Sequence, residues 1–313
     1  MREQPAELGD GEVLALVQAS WPAAVDRVEH LPVGFGAHHW RATVGDLPAY
    51  FVTYDRFGER HSPASLEAAY AGVSALSFAL DFAVAPLPSA SGRCTVPVAG
   101  GALSVTLWVA GERAGDGPLA SRADAEESAR QLARLHARPP AASLPRWAPL
   151  VGPDLADTLA ARLADPSVWD LGPFGARARA ALQTHLDDVA RWTAAYHRLA
   201  GEAADRPWVP THGEPHTRNL VRTLAGPLRL VDWESLKVAP RERDLRTLVD
   251  SGHADLADPH GPMLELFDLE WRLDEVSQYA AWFAAPHTGN DSDRVAVEGL
   301  VEELERPEWS PPA

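Results

Sequence analysis

Two nearby runs, THGEPHTRNL from Thr211 to Leu220 and LRLVDWE from Leu228 to Glu234, place two histidines, three acids and an asparagine close together. Three readings compete for them. If the first run is extended, His212, Glu214 and His216 alternate and point to one side, as three zinc ligands could. Against this, Pro215 stiffens the run and the order is not the helical His-Glu-x-x-His pattern that carries a zinc mechanism. Phosphoryl transfer needs a carboxylate to orient and deprotonate a hydroxyl, and further oxygen ligands to hold magnesium against phosphates. Glu214, Asn219 five positions later, and Asp232 at the end of a short apolar strand supply that set. In this second reading His212 is structural, its ring bonding backbone groups to hold the loop, and the role of His216 stays open. The third reading is that the run does no chemistry.

The elements around these residues must position them. A short helix is expected over Glu12 to Ser20, from its apolar spacing. From Val25 to Val109 the texture is that of short strands broken by glycine turns, two or three of them between Val25 and Asp55, forming a small antiparallel sheet. One helix interrupts it, over Ser62 to Leu80, with Ser62 as N-cap and Pro63 in the first position. ALSVTLWVAG, Ala102 to Gly111, reads as a buried strand running into a glycine turn. Thereafter the chain is helical: a helix capped by Ser121, one from Asp154 to Asp165, one long pattern from Gly175 to Leu199, and further patterns near Glu242 and Met263. Trp271, Tyr279 and Trp282 recur at helical spacing and are expected in the core.

Composition narrows the function classes. With 313 residues, 46% of them hydrophobic, the chain can build two cores or lobes. The N-terminal residues carry no apolar run and no membrane-length segment follows, so neither a signal peptide nor a membrane partner is expected. Cys94 is the single cysteine, which fits a cytoplasmic setting. A formal charge of −16 argues against a nucleic-acid partner and favours a cationic small molecule.

HGEPHTRN resembles the catalytic loop of the aminoglycoside phosphotransferase and choline kinase-like family, with Glu214 where aspartate is usual; VDWE resembles its metal-binding strand end. SLKVAPRERDL is similar to the run that opens the next helix in the spectinomycin phosphotransferase-like branch. The resemblance implies an α+β, protein kinase-like two-lobed fold. Its nucleotide-binding lobe, with a small antiparallel sheet, would span 1–107, its hinge 108–112, and its large, mainly helical lobe 113–313. It implies transfer of the terminal phosphoryl group of ATP or GTP, with Mg2+, to a hydroxyl of a small molecule, a cationic antibiotic or other natural product. In that frame Glu214 is the base, with His212 beside it in the catalytic loop, and Asn219 and Asp232 hold the metal. Gly34 and Gly36 form the nucleotide loop, and Glu67 is the helix acid that pairs with the phosphate-binding lysine. Backbone groups from Trp108 to Ala110 meet the adenine. The lysine itself is missing, because Thr53 takes its place. Either another cation serves, with Arg41, His39 and Arg56 as candidates, or the protein is a catalytically impaired nucleotide- or ligand-binding relative. The acceptor site would draw on the acids between Asp250 and Glu275.

Overall fold

The computed structural model describes residues 3–309 apart from 35, 59, 99 and 116. These residues fall into two compact units. One runs to Trp147 and resumes over Pro207–Asp258; the other takes Ala148–Arg206 and the chain from Pro259 on.

In the first unit, helix α1 (Asp10–Ser20) leads into strands β1 (Arg27–Leu31), β2 (His38–Val44) and β3 (Leu47–Arg56). Helix α2 (Pro63–Ser77) follows, then β4 (Val96–Val98) and β5 (Gly101–Leu107). The five strands pair in the order β1-β2-β3-β5-β4, every neighbour antiparallel. β1, β2 and β3 fall in the run from Val25 to Asp55 where two or three strands are expected, and β5 in the strand expected from Ala102; β4 alone goes beyond that reading, since a three-residue strand is too short to show alternation. Side chains alternate across the sheet. Val52 and Tyr54 enter a core with Trp40, Leu103, Val105, Val13 and Val17, so Thr53 and Asp55 lie on the opposite face. Register places His39, Thr53 and Ser104 side by side across three strands. Helix α2 starts as its sequence predicts: Ser62 accepts from the Ser65 amide and Pro63 occupies the first turn.

A second sheet of the same unit joins β6 (Gly111–Arg113), β8 (Leu220–Thr223) and β9 (Leu228–Leu230) in the order β6-β8-β9. Gly111, expected as a turn, opens β6 instead. A Cβ there would lie 2.2 Å from the Arg222 carbonyl oxygen, so glycine serves close strand approach. Helix α3 (Arg122–His136), capped by Ser121, supports this sheet through Gln131, whose amide donates to the Leu228 carbonyl. Strands β7 (Trp208–Thr211) and β10 (Lys237–Pro240) form a separate antiparallel ladder. The run read as opening a helix therefore begins as β10. A 3₁₀ turn over Arg241–Asp244 and helix α7 (Arg246–Asp250) come after it.

The second unit is helical: α4 (Leu155–Leu163), α5 (Gly175–Thr184), α6 (Leu186–Ala203), α8 (Gly261–Phe283) and α9 (Asp291–Glu305). The long pattern expected from Gly175 to Leu199 is two helices, broken at His185, whose φ of −109° and ψ of 12° leave the helical region. Its Nδ1 lies 3.2 Å from the Asp188 carboxylate, tying the break to the start of α6. Tyr279 is buried, whereas Trp271 and Trp282 are half-buried. Among the described residues no helix is long and apolar enough to cross a membrane.

Candidate active site

The loop Thr211 to Asn219 leaves β7 and enters β8 through a 3₁₀ turn over Thr217–Asn219. Its anchor is Asp244, fully buried on the following 3₁₀ turn. One Asp244 oxygen accepts from the His212 amide at 2.9 Å and lies 2.9 Å from His136 Nε2; the other accepts from the Gly213 amide at 2.7 Å. Burial acts to raise the Asp244 pKa, but the bond from His136 and the neighbouring cations hold it below the ordinary aspartate value. Gly213 has φ 102°, and a Cβ there would lie 2.3 Å from the Arg243 guanidinium, so both conformation and space require glycine.

His212 is fully buried and spends both ring nitrogens on backbone. Nδ1 accepts from the Glu214 amide at 3.1 Å, which makes Nε2 the protonated nitrogen, and Nε2 donates to the Val231 carbonyl at 2.9 Å. Burial lowers its pKa to about 4, so the ring is neutral. With no nitrogen left over, His212 cannot be a zinc ligand in this conformation, and the zinc reading fails on geometry. Its contact with Val231 instead links the loop to the strand end bearing Asp232.

Glu214 accepts from the Ser235 hydroxyl at 3.2 Å and lies 3.8 Å from His216 Nε2. Burial pushes its carboxyl up, but nearby charges, Arg60 foremost, hold it below the usual range. The Asn219 side-chain nitrogen donates to the Glu214 carbonyl at 3.0 Å, which leaves its amide oxygen available as an acceptor, while the Asn219 carbonyl accepts from the Val231 amide at 3.0 Å. Asp232 is held next to that bond with φ 70°, a left-handed conformation rare outside glycine and found where a side chain must be aimed. Its pKa is raised, first by enclosure and then by Glu214, with a bond to Glu234 opposing. Asp232 keeps access to solvent, so it is not a core carboxylate. Glu234 is pushed well above the ordinary value by burial and by Asp232, and its Oε2 is buried with no partner.

Facing this cluster is Asp55 of β3, which accepts from the Tyr70 hydroxyl of α2 at 2.8 Å. Burial raises its pKa to about 7 despite that bond, and Asp232 adds to the rise. The strand-to-helix link is thus made by Asp55 and Tyr70. Glu67 points elsewhere: it accepts from the backbone amides of Cys94 at 3.0 Å and Thr95 at 2.9 Å, and from the Thr95 hydroxyl. Glu67→Gln is therefore expected to lower the melting temperature through loss of about 1–3 kcal/mol, with ATP affinity held within about twofold. An affinity loss without a stability loss would return Glu67 to the phosphates.

Thr53 accepts no cation; its hydroxyl lies 3.2 Å from His39 Nδ1. His39 is buried and its pKa falls to about 3, so it stays neutral. Arg41 is paired with Glu29 at 2.6 Å and Arg56 with Glu7 at 2.5 Å. Gly34 and Gly36 both adopt positive φ, 74° and 97°, and a Cβ on Gly34 would lie 2.9 Å from His39 Nε2; Phe35 between them is outside the described residues. In the expected hinge the Trp108 amide donates to Ala49 at 2.9 Å and the Ala110 carbonyl accepts from Leu224 at 3.2 Å. The Phe51 ring lies 6.2 Å from that of Trp108 and 4.9 Å from that of His39.

The acids expected at an acceptor site are largely committed elsewhere. Asp250 pairs with Arg246, Asp255 with Arg122, and Asp268 with Arg306; Glu270 accepts from Tyr196. Sequence reasoning missed Asp55, Tyr70 and Arg60. Only Asp55 left a signal, sharing the strand phase of Thr53.

Comparison with solved structures places this architecture among protein kinase-like α+β folds. Spectinomycin phosphotransferase APH(9)-Ia, solved with ADP and spectinomycin, superposes with a TM-score of 0.70 at 12% identity, covering 97% of this chain and 96% of that one. A microcompartment-associated aminopropanol kinase gives 0.60 at 15% identity, with 94% and 95% covered. Choline kinase LicA from Streptococcus pneumoniae gives 0.54 at 13% identity, with 93% and 96% covered. The model of the phosphotransferase enzyme family (APH) matches residues 27–272, and the chain belongs to that family of small-molecule kinases. Protein StrN of Streptomyces griseus is 35% identical over 116 residues, which spans about a third, 35%, of each chain.

Proposed function

We propose that the protein transfers the terminal phosphoryl group of ATP or GTP to a hydroxyl of a small molecule. The observation that carries this reading is the convergence of Glu214, Asn219 and Asp232, held by Asp244, His212 and the Val231 amide in one braced unit. Glu214, kept ionised, is poised to accept the hydroxyl proton. His212 acts by fixing the Glu214 amide rather than by touching the reaction. The nucleotide would lie against Gly34, Gly36, Thr53 and the hinge from Trp108 to Ala110, where Phe51 offers a ring face. In this reading residues 1–107 form the nucleotide lobe, 108–112 the hinge, and 113–313 the lobe carrying the catalytic loop.

The donor set fits Mg2+. Asn219 spends its side-chain nitrogen on the Glu214 carbonyl and has its amide oxygen left to offer a cation, Asp232 is crowded by carboxylates that a cation would relieve, and Glu234 keeps an unpartnered buried oxygen. Bound there by Asn219 and Asp232, magnesium would neutralise phosphate charge. The protein's own part is to align acceptor hydroxyl, Glu214 and phosphate in a fixed geometry.

Three solved relatives are named for spectinomycin, aminopropanol and choline, and the formal charge of −16 attracts cations. Both favour an amine-bearing, hydroxylated acceptor. The expected outcome of incubating a panel of such compounds with magnesium and ATP or GTP is a mass gain of one phosphoryl group on at least one, with matching nucleotide consumption. A second reading, a nucleotide-binding relative without turnover, is favoured by Thr53 and by the Asp55–Tyr70 link. Nucleotide binding with no product across the panel would select it.

A further inference from the structure

Thr53 stands where a lysine is expected, and the geometry around it builds a neutral donor. His39, Thr53 and Ser104 form one row across β2, β3 and β5, on the face opposite the core residues Trp40, Val52, Leu103 and Val105. His39 and Thr53 are both buried. The imidazole is fixed on several sides: Nδ1 lies 3.2 Å from the Thr53 hydroxyl, and the Phe51 ring on the same face lies 4.9 Å away, tilted by 32°. Its other nitrogen, Nε2, sits against the glycine turn, where a Cβ on Gly34 would come within 2.9 Å of it. Glycine at that position, with φ 74°, therefore keeps the surroundings of Nε2 open.

The tautomer follows from the hydroxyl. Among the described residues, the buried Thr53 hydroxyl has one hydrogen-bond partner, Nδ1 of His39. Its proton is satisfied only if Nδ1 accepts it, which leaves the ring proton on Nε2. Burial lowers the His39 pKa to about 3, so the ring is a neutral donor and not a cation. The contrast with His212 is informative. His212 spends both nitrogens on backbone and is structural, whereas His39 spends one on Thr53, and Nε2 has no hydrogen-bond partner among the described residues. A fixed N–H beside a glycine turn that lets a ligand approach the backbone closely suits an anionic oxygen.

We propose that His39 donates from Nε2 to a phosphate oxygen of the bound nucleotide, with Thr53 as the positioning residue that holds the imidazole in the donating tautomer. The inference rests on the phosphotransferase reading above. A neutral donor supplies direction without charge, so neutralising the phosphates falls to magnesium.

Binding titrations of ATP and GTP to the full chain test this, with adenosine and guanosine as controls, in wild type, His39→Phe, His39→Gln and Thr53→Val. His39→Phe keeps a ring against Phe51 but removes the donor, and should weaken the nucleotides by roughly 10-fold or more, with the nucleosides held within about twofold. His39→Gln, whose amide nitrogen can donate, should recover part of that loss. Because His39 is buried, a second measurement uses the wild-type protein: nitrogen NMR of labelled histidine should show the His39 proton on Nε2, and ATP or GTP should shift that signal while the nucleosides leave it in place. In Thr53→Val the preference for Nε2 should relax and nucleotide affinity should fall by less than in His39→Phe. A wild-type ring protonated on Nδ1, an Nε2 signal unmoved by bound nucleotide, or unchanged nucleotide affinity in a folded His39→Phe overturns the assignment while leaving the phosphotransferase reading in place. A wild-type protein that binds neither nucleotide overturns both.

Discussion

Glu214→Gln should keep the fold and nucleotide affinity yet lose phosphoryl transfer by on the order of 10²-fold or more, the scale of a positioned general base. The substitution preserves the shape of the side chain, and the bond from the Ser235 hydroxyl can still be accepted by the amide oxygen. What disappears is the negative charge and with it the ability to take a proton. The main chain of the loop is held independently, by Asp244 on the His212 and Gly213 amides and by His212 Nδ1 on the Glu214 amide, so the variant tests chemistry rather than folding. The effect should fall on kcat, with the nucleotide KM little changed, because the lost interaction develops only as the hydroxyl proton moves. The pH profile provides a second check. Glu214 is held below the ordinary carboxylate value, so the base is ionised above that range and activity should decline as pH falls through it. Single-turnover rates equal to wild type would remove Glu214 from the base role.

The parts of the site that sequence disclosed are those whose chemistry is contiguous. Glu214 and Asn219 are five positions apart in one loop, and Asp232 follows two residues after the short apolar strand β9. The capped helices were equally readable, because Ser62 and Ser121 bond within three residues of themselves. What the sequence hid depends on register between distant segments. Tyr70 is one of several apolar positions on α2, and only the pairing of β3 with β5 shows that Asp55 turns toward it. Glu67 holds the helix position that the resemblance gives to the acid pairing with the lysine, but its carboxylate is taken by the amides of Cys94 and Thr95, whose location could not be inferred locally. The break at His185 and the strand Lys237–Pro240 were obscured for a similar reason, since a continuous helical pattern and a helix-opening signature each describe a local preference that tertiary pairing overrides.

Asp244 carries no chemistry in this scheme, yet its loss should be the most damaging to stability. Its two oxygens satisfy two buried backbone amides and His136 together. Asparagine presents one oxygen in place of two, and its amide nitrogen would confront a donor. Asp244→Asn should therefore cost about 3–5 kcal/mol, as expected when one partner of a buried charged network is removed. For a chain of this size that corresponds to a fall in melting temperature of roughly 10 °C or more. The sign of the pH dependence follows from the depressed pKa. The ionised aspartate contributes fully above the unfolded value of about 3.9, and its contribution is lost as pH falls through the lower folded value. Wild type should thus lose this part of its stability only in acid, whereas the asparagine variant should lack it at every pH and show a shallower acid dependence. Residual activity in the variant, measured well below its melting temperature, should also drop, because the Glu214 carboxylate is positioned only as well as the amides of His212 and Gly213 are held. A variant that melts within about a degree of wild type, against the shift expected from that energy, would mean that the loop is braced by β7 and β10 alone, and that the Asp244 bonds are replaceable.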